Sequence, residues 1–423
     1  MNQYLILVDV GGTFLKISKV NIQTDRIKNF KKYPMPEFIK NDSVIKELDP
    51  QRLLSMCISG VKELLENEKN VIGIYITGQM GGWVATDKQN NPMTNLITWQ
   101  DQRIMRVENQ YEKTLDCIYE ELGSSWKMDS GNEVRPGLPI ISLIDYLESN
   151  ASSNDLRFHS LISWVTSKMC DRSKYVLNDT DFASTGLYNL RTKDLNFLEK
   201  YKKRIEFPKI VNEVIVIGYF KLTRIPVYSC VGDQQASLLG SGMNSNSLVV
   251  NIGTGGQVAK LGSLQEVGPN QVRPYFDGRF IITKTHLPSG RNISLFLEKI
   301  LKRSPIDEDF IFISNIEIDE FSPAAKELRT SNLWGENKIA MQGKNLNEIK
   351  KFLRSLSEIY VNSLKEIATK DESKILFAGG IGQKIVYIQQ FIANSLDMDV
   401  SISDTAETTL QGIFELGKSQ NER

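Results

Sequence analysis

Residues Ser229–Met243 read S-C-V-G-D-Q-Q-A-S-L-L-G-S-G-M, and Asp233 within them is placed to do chemistry. A β-rich run, Ile225 to Cys230, ends in Val231-Gly232, and a small, helix-compatible tail follows. That order predicts a strand-to-helix turn with Asp233 beside a helix N-terminus. The positive end of a helix favours negative charge. An ionised carboxylate there, with an anion close by, suits a reaction that takes a proton from an alcohol. The same position also suits a helix N-cap, a role Asp commonly fills, and this stretch alone leaves both readings open.

Two glycine turns supply matching chemistry for an anion. The first is V-D-V-G-G-T-F-L-K-I, around Asp9 to Thr13, and the second is V-N-I-G-T-G-G-Q-V-A-K-L, around Asn251 to Gly256. Both show an apolar strand, one Asx, a glycine turn and a returning strand with a lysine, a pattern of internal duplication. Turn glycines let backbone N–H groups approach an anion closely. Only the first hairpin adds a carboxylate, Asp9, suited to a hydrated divalent cation. Lys16 and Lys260 read as solvated strand residues.

Those residues need elements to hold them. Tyr4–Val8 reads as a central strand, Phe14–Val20 as its hairpin partner, and a third strand is expected near Arg26 to Tyr33. Pro50–Glu68 has apolar residues at helical spacing, Leu53, Leu54, Cys57, Val61, Leu64 and Leu65. Val71–Ile76 is a buried strand entering T-G-Q-M-G-G-W, and W-Q-D-Q-R follows at Trp99–Arg103. Helices are expected near 139–150 and 155–171. Lys374–Ala378 is a strand entering G-G-I-G, Gly379 to Gly382, a strand–turn–helix order that suits a nucleotide. No ribose-binding acid lies at dinucleotide spacing. N-S-N-S after Met243 marks the linker, giving domains at 1–243 and 244–423.

Composition excludes several classes. The 423 residues carry 51 basic and 51 acidic side chains, so no global field points to nucleic acid or an anionic membrane. No apolar run reaches the length of a membrane span. The N-terminus lacks a basic leader and cleavage site. The four cysteines form no C-x-x-C pair and read as buried thiols in a reducing cytosol, so the expected location is cytoplasmic. With two histidines, a His-based metal site or a Ser-His-Asp triad is not expected.

In order and spacing, D-V-G-G-T, T-G-Q-M-G-G-W with W-Q-D-Q-R, V-G-D-Q-Q-A, N-I-G-T-G-G and A-G-G-I-G resemble the actin-like superfamily of sugar kinases and, within it, the FGGY carbohydrate kinases. G-Q-M, W-Q-D-x-R and N-x-G-T-G-G-Q together most resemble the sedoheptulokinase branch. The resemblance runs from about residue 4 to 417. It implies an α/β fold of two related ribonuclease-H-like (actin-like ATPase) domains, each a mixed five-stranded sheet flanked by helices, with a cleft between them. It implies ATP and Mg²⁺ as cofactors and a small sugar as substrate, and leaves a homodimer open. Asp233 aligns with the base that deprotonates the sugar hydroxyl, and Asp9, with Asp233, lies at the metal. Gly11, Gly12 and Thr13 align with the first phosphate loop, Gly253, Thr254 and Gly255 with the second, and Gly379 and Gly380 with the adenosine loop. Gln79, Met80 and Asp101 align with sugar contacts, with Arg103 beside them, and Thr180–Tyr188 matches a segment near the sugar.

Two departures stand out. Gly81 takes the place of the family's His, and Gly12 that of its usual Thr. Asp101 also suits an N-cap for the helix after it. The expected reaction is phosphorylation of sedoheptulose to sedoheptulose 7-phosphate. Kinases for xylulose, ribulose or another polyol, a sugar sensor on a kinase fold, and an actin-like ATPase indifferent to sugar are the alternatives.

Overall fold

A computed structural model describes residues 2–24, 27, 29–66, 70–150, 154–221, 223–253, 255–264, 270–314, 316 and 344–421. Arg26, expected to begin a strand, and Thr254, expected in the second phosphate turn, lie outside these residues. The chain divides into two compact units, Met1–Gly240 with Ser263–Phe280 and Thr409–Arg423, and Ser241–Gly262 with Ile281–Thr408. The chain thus returns twice to the first unit after leaving it near Gly240.

The first unit is built on a sheet that runs, in order, Cys170–Ser173, Val216–Phe220, Pro226–Tyr228, Val71–Gly78, Tyr4–Val10, Phe14–Asn21 and Lys31–Pro34, with Val231–Gly232 also pairing Val71–Gly78. That makes eight strands among the described residues, against the five expected. Leu5, Ile6, Leu7 and Val8 are fully buried, as a near-continuous apolar run in a central strand requires. Tyr4–Val10 pairs antiparallel with Phe14–Asn21, the predicted hairpin, and parallel with Val71–Gly78. A second sheet in this unit has Trp83–Thr86 antiparallel to Leu156–Ser160.

The helix Pro50–Leu65 covers the main sheet. Asp49 caps it by accepting from the N–H groups of Gln51 (2.8 Å) and Arg52 (3.3 Å), and Pro50 occupies the first turn. Leu53, Leu54, Cys57 and Val61 form its buried face. The expected helix at 155–171 is instead a strand, Leu156–Ser160, followed by a helix, Leu161–Met169. Leu156 and Phe158 alternate inward, and the Ser160 hydroxyl accepts from Ser163 N–H (3.1 Å), starting the helix there.

The second unit repeats the hairpin theme. Ser247–Ile252 pairs antiparallel with Gly256–Gly262 and parallel with Lys374–Ala378, which pairs parallel with Asp399–Ile402. With Phe280–Leu287 beside Gly256–Gly262 and Gln271–Pro274 beside Phe280–Leu287, the sheet has six strands among the described residues, against the five expected. The helices Lys344–Ile367 and Val386–Leu396 pack on one another. Lys260 is not solvated. It is buried and ion-paired with Glu372 at 3.3 Å.

Candidate active site

Three parallel strand ends bring the sequence motifs of the first unit together. Asp9 and Val10 lie opposite Thr77 and Gly78, and Val231 and Gly232 lie opposite the same two residues from the other side. Each strand then leaves the sheet in a glycine-bearing segment. Asp9 leads into Gly11–Thr13, Gly78 into Gln79–Gly82, and Gly232 into the helix Asp233–Gly240. Gln79 N–H donates to the Val10 carbonyl at 2.8 Å. Ligand sites in open α/β sheets form at such carboxyl ends. Glycine is needed at 78 because a Cβ there would come within 2.6 Å of the Val10 carbonyl oxygen.

Asp9 is buried at 5% exposure, with Lys16 Nζ 4.0 Å from its Oδ2. Lys16 is its cross-strand partner, so it is half-buried against the carboxylate rather than solvated. Gly11 N–H donates to Phe14 carbonyl at 3.1 Å, closing the turn. A Cβ on Gly12 would lie 3.9 Å from Gln79 Oε1 and 4.0 Å from Trp99 Nε1, so the first turn faces the Gln79 segment.

Asp233 opens its helix, half-buried, directly after the strand pair at Val231–Gly232. Burial pushes its carboxyl up to about 7; the Gln234 backbone N–H pulls it down, Asp181 pushes it up, and Arg273 pulls it down. A carboxyl near neutrality can accept and return a proton at working pH. Gly232 is hemmed in: a Cβ would lie 2.5 Å from Gln235 Oε1, 2.7 Å from Met80 Sδ and 3.0 Å from the Thr180 carbonyl oxygen. Met80 is thereby placed against the start of the Asp233 helix. Thr180 Oγ1 accepts from Gly232 N–H at 3.2 Å, so the Thr180–Tyr188 segment supports the same turn.

Asp101 and Arg103 form a closed set. Asp101 Oδ1 accepts from Arg103 N–H (3.0 Å) and Nε (2.8 Å), and Oδ2 from Lys46 N–H and Arg103 Nη2 (both 2.9 Å). Arg103 Nη2 also reaches Glu47 Oε1 at 2.7 Å. Asp101 holds the chain after Trp99 in place through these bonds.

Several functional candidates carry no sequence signal that singles them out. Asp181 is fully buried and accepts a hydrogen bond from the Ser160 hydroxyl. Arg135 donates to the Trp99 carbonyl at 2.9 Å, and Gln235 Nε2 donates to the carbonyls of Thr180 (3.2 Å) and Pro274 (3.0 Å). The R-P-G run at Arg135–Gly137 reads only as a loop.

In the second unit, Gly253 N–H donates to Gly255 carbonyl (2.9 Å), and Gly290 N–H donates to Gly253 carbonyl (3.1 Å). Gly290 opens the helix Gly290–Leu301, capped by Ser289 and Asn292 in a reciprocal box. Gly379 has φ +76° and packs against the side chain of Asn251, and the N–H groups of Ile381 and Gly382 both donate to Ile252 carbonyl (3.0 Å). Gly380 stands open, with nothing near its Cβ position. Two glycine turns and one helix N-terminus therefore converge within this unit, a geometry suited to phosphate or nucleotide. Ser289-x-x-Asn292 is the sequence signal for that helix start.

The fold is shared with solved sugar kinases. A xylulose kinase from Lactobacillus acidophilus superposes with a TM-score of 0.80 at 16% identity, covering 99% of this chain and 90% of that one. A gluconate kinase from the same organism gives 0.80 at 15%, covering 100% and 90%. Residues 4–240 match the profile of the FGGY family of carbohydrate kinases, N-terminal domain, and the chain belongs to that family. A glycerol kinase from Leptospira biflexa is 26% identical over 259 residues, 56% of this chain and 50% of the relative. The chain spans about half the length of the curated relatives it matches there. Among the described residues no helix is long and apolar enough to cross a membrane.

Proposed function

We propose that the chain transfers the γ-phosphoryl group of ATP to a hydroxyl of a polyhydroxylated acceptor. The observation that supports this most is the meeting of Asp9, Gln79–Met80 and Asp233 at the carboxyl ends of three neighbouring strands. Asp233 accepts the hydroxyl proton as the acceptor oxygen bonds to the γ-phosphorus. The bond to the β–γ bridging oxygen breaks and ADP leaves. Such a transfer depends on positioning and charge neutralisation more than on covalent chemistry.

The Gly11–Thr13 turn is assigned to the phosphates, and the turns at Gly253–Gly255 and Gly379–Gly380 to the nucleotide. Asp9 and Asp233 fit Mg²⁺, which takes one or two carboxylates and completes its shell with water and phosphate oxygens. When bound, the ion neutralises phosphate charge. Gln79 and Met80 are assigned to the acceptor, with Asp101 and Arg103 holding the segment after Trp99 beside it.

Sedoheptulose is the acceptor the sequence favours, and xylulose, ribulose and other polyols are its rivals. Relatives and fold neighbours are glycerol, xylulose and gluconate kinases. Coupled ADP release with Mg-ATP against these acceptors and a no-sugar blank is the test. Acceptor-dependent turnover is the expected result, and ATP hydrolysis indifferent to every acceptor would defeat the proposal.

A further inference from the structure

Two guanidinium groups stand in the first unit with unusual surroundings. Arg135 lies against Trp99, its guanidinium carbon 5.7 Å from the ring centroid and its Nη1 on the Trp99 carbonyl. Trp99 in turn borders Gly12 and the Gln79 segment. Gly81 has φ +75°, and a Cβ there would lie 3.3 Å from Trp99 Cβ and 3.7 Å from Arg135 Nη2. The missing side chain at 81 leaves the space of a Cβ beside Arg135 Nη2.

Arg273 comes from the strand Gln271–Pro274, which is tied to the segment just before Arg135. Val272 N–H donates to Gly131 carbonyl (3.0 Å), and Gln271 Nε2 donates to Glu133 Oε2 (3.3 Å). Arg273 Nη2 donates to Gln271 Oε1 at 2.9 Å, yet its Nε and Nη1 are buried without a hydrogen-bond partner among the described residues. Buried donors left unmade are costly, most of all on a charged group. Burial pushes Arg273 down to about 10 and repulsion from Arg135 adds to this, while Asp233 and Glu133 draw it back. Arg135 is likewise lowered by burial, with Glu133 opposing. Among the described residues, Glu133 and Asp233 are the acidic groups that act on this pair. Buried donors left unmade on Arg273, with a second arginine repelling it, call for an anion, and the planar fork of arginine matches a carboxylate.

We propose that Arg135 and Arg273 form an anion subsite beside the acceptor loop, and that the acceptor is an acid sugar, a polyhydroxylated chain bearing a carboxylate. This rests on the kinase reading and puts an acid sugar in place of neutral sedoheptulose as the acceptor. The carboxylate is gripped by the two arginines while a hydroxyl of the same molecule faces Asp233. Phosphate of the nucleotide shares this anionic chemistry, so the test separates the two.

ADP release is measured at saturating Mg-ATP with gluconate and xylonate against glucose, xylulose, sedoheptulose and glycerol. Wild type, Arg135→Met and Arg273→Met are compared, with circular dichroism checking the fold. Binding of gluconate to Asp233→Asn is followed by calorimetry. The expected result is a lower KM for the acid sugars than for the neutral ones in wild type, a comparison that needs no variant. Each arginine variant should raise the acid-sugar KM by ~10–100-fold, the loss of charge-assisted hydrogen bonds, with the ATP KM little changed. Turnover of neutral sugars alone would overturn the subsite and leave the kinase standing. A rise in the ATP KM alone would assign the arginines to phosphate and also overturn it. Gluconate binding that depends on both arginines, without turnover of any acceptor, would uphold the subsite and defeat the kinase reading.

Discussion

Replacing Asp181 with asparagine should stabilise the protein, increasingly so as pH rises from about 4 to about 7. The side chain is fully buried, its Oδ2 accepts from the Ser160 hydroxyl, and its Oδ1 has no hydrogen-bond partner among the described residues. Burial pushes the carboxyl from 3.8 up to about 7, with the Ser160 bond pulling the other way. The folded chain therefore holds this proton more tightly than the unfolded chain does. Stability contributed by the protonated form is full below the unfolded value and is lost as pH climbs to the folded value. A tenfold difference in proton affinity corresponds to about 1.4 kcal/mol, so the ceiling at neutral pH is ~4 kcal/mol. Asparagine keeps an oxygen for Ser160 and removes the ionisation. Urea midpoints of wild type and variant at about pH 4.5, 6 and 7.5 would show the difference growing across that window. A difference independent of pH, or a wild type that gains on the variant as pH rises, would refute the reasoning.

Other consequences can be checked alongside. In ligand-free protein, the Asp233 carboxyl should titrate near 7, read as an infrared difference between wild type and Asp233→Asn; titration near 4 would remove the environment we ascribe to it. Gly412 sits directly on the backbone of Ala236 in the Asp233 helix, so Gly412→Ala should cost about 1–3 kcal/mol by overpacking and lower kcat more than it changes KM. Asp101→Ala leaves the largely buried Arg103 with Glu47 as its remaining carboxylate partner, and the melting temperature should fall by an amount corresponding to roughly 1.5–3 kcal/mol; a raised acceptor KM at unchanged melting temperature would instead make Asp101 a sugar contact.

The parts of this site that can be read from the chain are those whose physics is local. Apolar runs ending in glycine turns locate Asp9, Gly78, Gly253 and Gly379, because a turn that brings backbone to backbone admits little else. Asp233 follows from a strand running into a helix. The duplication of the hairpin is visible because both copies keep the Asx and the glycines. Pairings between distant parts of the chain are not legible. Lys260 reads as solvated until Glu372 is brought to it. Asp181, Arg135 and Arg273 carry no local pattern, and their meaning arises from burial and from one another. The Leu156–Ser160 strand is hidden because the apolar helix after it extends the same hydrophobic stretch, and only the cap at Ser160 separates the two.

The most direct test of the central claim is single-turnover transfer of a labelled γ-phosphoryl group to acceptor, comparing wild type with Asp233→Asn at matched ATP and acceptor occupancy. Labelled sugar phosphate is expected from wild type, with a rate ~10²–10⁴-fold lower in the variant and ATP binding retained. Equal rates, or label appearing only as inorganic phosphate in both, would contradict it.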